Sequence, residues 1–137
     1  MGTLHRGRQS LVFDRHPAVL ATSAIAGKKE QEGPLAAFFD QVNSDTTFQQ
    51  DSWEKAECKM QELALDAVRA KAGIHNQDID LVFAGDLLNQ CITSSFAIRD
   101  AGVPFLGLYG ACSTSLLSKR EFGKAPVRYK LSMCDQD

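Results

Sequence analysis

Two short apolar runs constrain this chain more than anything else in it. Leu81-Val82-Phe83-Ala84 follows the acidic Asp78-Ile79-Asp80 and stops at Gly85; the second run spans Val103 to Tyr109. An uninterrupted apolar run bounded by acidic residues and glycine is the pattern of a strand covered on both faces, as in parallel sheets. Between the two lies one helix-length segment, Ile92 to Ala101, closed by Gly102. Parallel strands need such a crossover, so the order predicts an α/β fold built on a right-handed βαβ unit. Ligands of such units gather at the carboxyl ends of the strands. Gly85-Asp86-Leu87-Leu88-Asn89-Gln90 and Gly110-Ala111-Cys112-Ser113-Thr114-Ser115 both fall there.

Upstream, a helix is expected from near Ser52 to just before Gly73. Asp51 and Glu54 have capping-box spacing, and Gly73 suits a left-handed stop. Ala56, Met60, Leu63 and Ala67 recur on one face, with Lys55, Glu62, Asp66 and Arg69 opposite, so Met60 reads as core. Ser10 to Phe13 and Pro17 to Ala21 are short β-prone runs. Thr22 to Gln50 mixes Gly27, Gly33 and Pro34 with polar residues around Leu35 to Phe39, the pattern of a long structured loop holding one short helix.

Composition narrows the function classes. With 137 residues, 44% hydrophobic and 23% charged, the chain reads as one globular domain that needs no metal or disulfide to form a core. A net charge of −2 without a basic block argues against nucleic acid. Cys58, Cys91, Cys112 and Cys134 form no C-x-x-C pair, which argues against zinc. Free thiols in a reducing compartment are expected, and any membrane association would be through partners, since no signal or spanning segment is legible. Gly27-Lys28-Lys29 fails the phosphate-loop pattern, because Thr22 and Lys29 stand where glycine and Ser or Thr are required.

The chemistry-bearing candidates sit at the strand ends. Cys112 follows a strand and a glycine and precedes Ser-Thr-Ser, so its sulfur would lie at a helix N-terminus, where a thiolate is stabilised; the plain alternative is a small packed cysteine. Thr114 breaks the second glycine of a nucleophile elbow. Asp86 is either an N-cap for the following helix or a carboxylate facing the same crevice. Asn89 and Gln90 add neutral donors. His5, His16 and His75 all precede the unit and read as surface or turn residues.

Val12-Phe13, His16-Pro17, Gly33-Pro34-Leu35, Phe39-Asp40, Trp53 to Glu57, Asp78-Ile79-Asp80, Ala84 to Gln90 and Gly110 to Ser115 stand in an order and spacing that resemble the start of the stage V sporulation protein AD family. The resemblance covers about residues 10 to 116. It implies a thiolase-like fold, of which this chain would be the first half, without established thiolase activity. It also implies dipicolinic acid binding within the machinery that moves calcium dipicolinate into the developing endospore. Other proteins of that dipicolinate-uptake complex would be partners, and the location would be cytoplasmic or peripheral at the spore inner membrane. Asp86, Asn89, Cys112 and Ser113 are then the expected ligand-binding residues, with no catalytic residue, resident metal or cofactor. Backbone N–H groups near Cys112 would take one dipicolinate carboxylate, and Asp86 would meet the ligand only if protonated or bridged by calcium.

The expected division is a partial thiolase-like domain over 1–116 and a divergent, disordered tail over 117–137. That tail carries five basic residues and Pro126 where a helix should run, and a proline in a helix costs about 3 kcal/mol. A truncated or frameshifted product, prone to self-association, is the expectation. The rival readings are an acyltransferase fragment with Cys112 as nucleophile and an inactive gene remnant.

Overall fold

The computed structural model of the chain describes residues 4–6, 10–12, 18–110 and 130–134, with side chains for 18–110. Strands β1 (Leu4–Arg6) and β2 (Ser10–Val12) form an antiparallel pair in which Leu4 faces Val12, so the first β-prone run is a strand. The second is not: 18–21 have no regular structure, and Val19 and Leu20 stay exposed. Among the described residues no strand pairs with this run, and a strand needs a neighbour to take its backbone groups.

The segment 22–50 holds more than the one short helix expected. Strands β3 (Ile25–Ala26) and β4 (Gln41–Val42) pair in parallel, α1 (Lys28–Gln31) covers the lysine pair, and Ala36–Phe38 is a 3-10 turn. Helix α2 (Trp53–Ala72) follows, its amino end capped by the Ser52 hydroxyl, which accepts from the Lys55 N–H at 3.3 Å. The cap is therefore Ser52 rather than Asp51, because Ser52 takes the extended backbone of an N-cap while Asp51 pairs with the Lys55 ammonium at 2.9 Å. Gly73 ends the helix in the left-handed region at φ 65°, as the sequence predicts.

Strand β5 (Leu81–Gly85), helix α3 (Ile92–Arg99) and strand β6 (Phe105–Gly107) form the expected unit, with β5 and β6 parallel and Ala84 opposite Gly107. Val82 and Ala84 lie in one core cluster with Leu65 of α2, Ile98 of α3 and Ile79. Fully burying a Val, Leu or Ile side chain contributes about 1.5–3 kcal/mol, and the alanine methyl less. Because side chains alternate along a strand, Phe83 belongs to the other face, and it too is fully buried.

A further strand, β7 (Lys130–Cys134), pairs parallel to the other edge of β5, giving the sheet order β6-β5-β7. The expectation that 117–137 would form no ordered element is corrected over these five residues. A central strand presents two edges of unpaired N–H and C=O groups, and 130–134 satisfies the second. The apolar alternation Val127, Tyr129, Leu131, Met133 is a strand pattern, whereas a search for helical periodicity passes over it.

Candidate functional site

Because β5 and β6 run parallel, their carboxyl ends share one edge of the sheet. The Leu108 N–H donates to the Ala84 carbonyl at 2.8 Å and extends the pairing beyond β6. The loop after β5 turns on Asp86, which is only 6% exposed. Its Oδ1 accepts the Asn89 and Cys91 N–H groups at 3.0 and 3.1 Å, and its Oδ2 accepts the Ser94 N–H and Oγ at 2.9 and 3.0 Å. Four donors occupy both oxygens, so this carboxylate organises the amino end of α3 from inside the protein. Of the two readings of Asp86, capping of the following helix is the one this geometry fills, although the capping residue lies further upstream than an ordinary N-cap.

That grip holds an unusual backbone. Gln90 and Cys91 take φ values of 51° and 74°, the left-handed region that costs a non-glycine residue about 1–2 kcal/mol. Turning the two residues this way brings the Cys91 and Ser94 N–H groups onto one carboxylate. Asn89, the second site candidate, is exposed, as are Leu87, Leu88 and Gln90. The loop therefore faces its amides inward and its side chains outward.

Cys91 was not singled out from sequence. Its thiol donates to the Leu108 carbonyl at 3.1 Å and joins the amino end of α3 to the end of β6. Burial pushes this thiol's pKa up, and the negative charge of Asp86 pushes it further. Both effects favour the neutral thiol that donates to Leu108. The sequence signal that could have found it is its place directly before the helix that opens at Ile92. Cys112 and Ser113 lie outside the described residues.

Glu57 is the second site residue that sequence reasoning missed. The expected apolar stripe on α2 is displaced: the helix buries Ala56, Glu57, Gln61 and Leu65, because α3 and β3 both pack against it. The Glu57 Oε1 accepts the Leu87 N–H at 3.1 Å, across 30 residues of sequence. Two buried carboxylates thus hold the loop of 86–91, one from within and one from the neighbouring helix.

Among the described residues no group of three His, Cys, Asp or Glu side chains is arranged to hold a metal ion, and no helix is long and apolar enough to cross a membrane. A parallel unit with both strand-end loops on one edge places the chain in the α/β class. The sequence model of the stage V sporulation protein AD family matches residues 7–120. The chain is also 41% identical over 110 residues to stage V sporulation protein AD of Bacillus subtilis (strain 168), an alignment covering 80% of this chain and 32% of that protein. The chain belongs to the stage V sporulation protein AD family, which is thiolase-like and tied to sporulation. It spans about a third of the length of that curated relative.

Proposed function

We propose that this chain binds dipicolinic acid, acting as part of the uptake of calcium dipicolinate into the developing endospore, and that it does so as a binding module without turnover. The observation that carries this reading is the family match, which runs through both strand-end clusters, 85–90 and 110–115. Asn89 reaches outward from the first cluster, and Cys112 and Ser113 supply the ligand contacts of the second. Asp86 acts one step back from the ligand. Both its oxygens are taken by four neutral protein donors, so it is turned into the protein and not offered to the ligand or to calcium. Calcium would travel as part of the cargo, held by the carboxylates of dipicolinate.

The absence of turnover is supported by the position of His75. Acyl transfer at Cys112 would need a proton acceptor within hydrogen-bond reach. His75 precedes the 3-10 turn Asn76–Asp78 that leads into β5, and so lies toward the amino end of that strand, opposite the loop of 86–91. Other proteins of the uptake complex would bring the chain to the spore inner membrane.

Titration calorimetry of the chain with dipicolinate, with and without calcium, tests the reading. Binding that calcium strengthens and that Ser113→Ala weakens about tenfold or more, the worth of one charge-assisted hydrogen bond, is expected. No heat of binding for the wild type under either condition would overturn the reading for this chain.

A further inference from the structure

We infer that Glu57 is a positioning residue for the ligand-binding edge: through the Leu87 N–H it sets the shape of the loop that presents Asn89. The inference rests on the dipicolinate reading for its ligand, but its geometry is independent of it.

The argument begins with what Glu57 costs. It is 6% exposed, yet among the described residues its Oε1 holds only the Leu87 N–H and its Oε2 has no hydrogen-bond partner. One turn further along α2, Gln61 is 3% exposed, with neither amide atom partnered among the described residues; the same holds for the hydroxyl of Thr93, on the helix packed against α2. Burying a carboxylate for one hydrogen bond stabilises a fold less than an apolar side chain of similar volume would. Stability therefore does not account for Glu57. Its one contact does: it fixes the first amide after Asp86, at the point where the chain leaves β5 and before the left-handed turn at Gln90 and Cys91.

The consequence is a division of labour between two carboxylates. Asp86 ties the far half of the loop, Asn89 to Ser94, to the amino end of α3. Glu57 ties the near half to α2, which is itself anchored in the core by Leu65. With both in place, the backbone is held at Leu87 and at Asn89, one point in each half of the loop. Without Glu57, Leu87 is held only by its chain neighbours, so the stretch of chain leading into Asn89 loosens while the Asn89 backbone stays tied to Asp86 and to the Ile92 N–H. A preorganised contact then becomes one that the ligand must order, which weakens binding. The Trp53 to Glu57 motif gains a function at its last residue: α2 carries the outer clamp of the site.

The test compares Glu57→Ala, Glu57→Gln and Glu57→Asp in the full chain. Dipicolinate affinity with calcium is read by calorimetry, and hydrogen exchange is read at Leu87, Asn89 and Leu65. Glu57→Ala should weaken binding about tenfold, the equivalent of one hydrogen bond of about 1.4 kcal/mol, and speed exchange at Leu87 while Leu65 stays protected. Glu57→Gln keeps an acceptor oxygen and should restore both. Glu57→Asp, one methylene shorter, should resemble Ala, and it decides the matter if Glu57→Ala does not fold. Unchanged affinity and unchanged Leu87 exchange in Ala or Asp would overturn the inference. If no variant and no wild type binds dipicolinate, the ligand reading fails by itself. Faster Leu87 exchange in Ala or Asp, restored in Gln, still upholds the positioning role, and equal exchange overturns it.

Discussion

Between Ile79 and Arg99, Val82, Phe83, Ala84 and Ile98 are withdrawn from water, and the loop that joins strand to helix is closed by buried carboxylates. Between 18 and 50 Phe48 and Ala26 are buried, but Val19, Leu20, Leu35 and Phe38 remain in contact with solvent, and polar contacts hold much of the chain. There Asp45 accepts the Thr47 and Gln49 N–H groups, and Asp40 joins the Ala24 N–H to the Lys71 ammonium. Although Leu87, Leu88, Ile92 and Phe96 are exposed, the strand and the loop anchors of the first region are shaped by burial, where removing a group leaves a cavity or an orphaned donor. The other is shaped by exposed charges that water can replace. Mutations of similar chemistry should therefore differ several-fold in cost between the two.

The sharpest contrast is between two phenylalanines. Phe83 is 0% exposed at the centre of the sheet and Phe38 is 80% exposed. Phe83→Ala should cost about 3–5 kcal/mol in urea unfolding. Phe38→Ala should stay within about 0.5 kcal/mol. Equal costs would erase the distinction and mean that Phe38 is covered in solution.

Asp86→Ala comes next, because it strands the Asn89, Cys91 and Ser94 N–H groups in a buried site. A loss of about 2–4 kcal/mol is expected, with Asp86→Asn milder because one oxygen remains to accept. If Asp86→Ala costs less than Asp45→Ala in the exposed region, the buried carboxylate is not the anchor of its loop. A third test separates strain from packing at the junction of β6 and α3. A Cβ added to Gly107 would lie 3.0 Å from the Cys91 Cβ and 3.2 Å from its Sγ. Gly107→Ala should cost about 1–3 kcal/mol by overpacking. In a Cys91→Gly background, which removes both atoms and suits the left-handed backbone, most of that cost should disappear, leaving a coupling of about 1 kcal/mol in the double-mutant cycle. Full additivity would mean that the two residues do not meet.

How much of this was legible beforehand follows the same division. The βαβ unit was readable because Leu81 to Ala84 is apolar without interruption, and burial writes itself into residue type. Helix α2 was readable at its carboxyl end, where only glycine takes φ 65° at no cost, and misread at its amino end, where Asp51 and Ser52 are equally good caps and only the backbone chooses between them. The role of Asp86 was half legible. Its partners are backbone N–H groups, and those carry no signature in the sequence. Glu57 was invisible for the same reason, since a glutamate on a helix reads as solvated until the neighbouring loop is seen to present an amide to it. Strand β7 is hard to read because its alternation, Leu131 and Met133 against Lys130 and Ser132, is short and follows a charged stretch with Pro126.

The smallest expected effect divides the two regions by pH, and its sign is opposite in each. Hydrogen bonds from the Lys71 ammonium and the Ala24 N–H hold the Asp40 carboxyl below its ordinary value of 3.8, and the Gln49 and Thr47 N–H groups do the same for Asp45. Their depressed values mean that near pH 4 the unfolded chain binds more protons than the folded one. What they contribute is complete above 3.8 and is lost as pH falls through the folded values. Cys91 runs the other way, since burial first and the charge of Asp86 second raise its pKa above 9.0. As pH rises through 9.0 the unfolded thiol ionises before the folded one, so stability falls on the alkaline side. Cys58 on α2 is raised by burial too and would add to the same slope, so the measurement belongs in a Cys58→Ser background. Amide chemical shifts followed from pH 3 to 10 should move first at Thr47 and Gln49 on the acid side, and first at Cys91 and Leu108 on the alkaline side. A reversal, with Cys91 and Leu108 moving first in mild acid while 40–50 holds, would mean that Asp40 and Asp45 do not set the acid side of the profile.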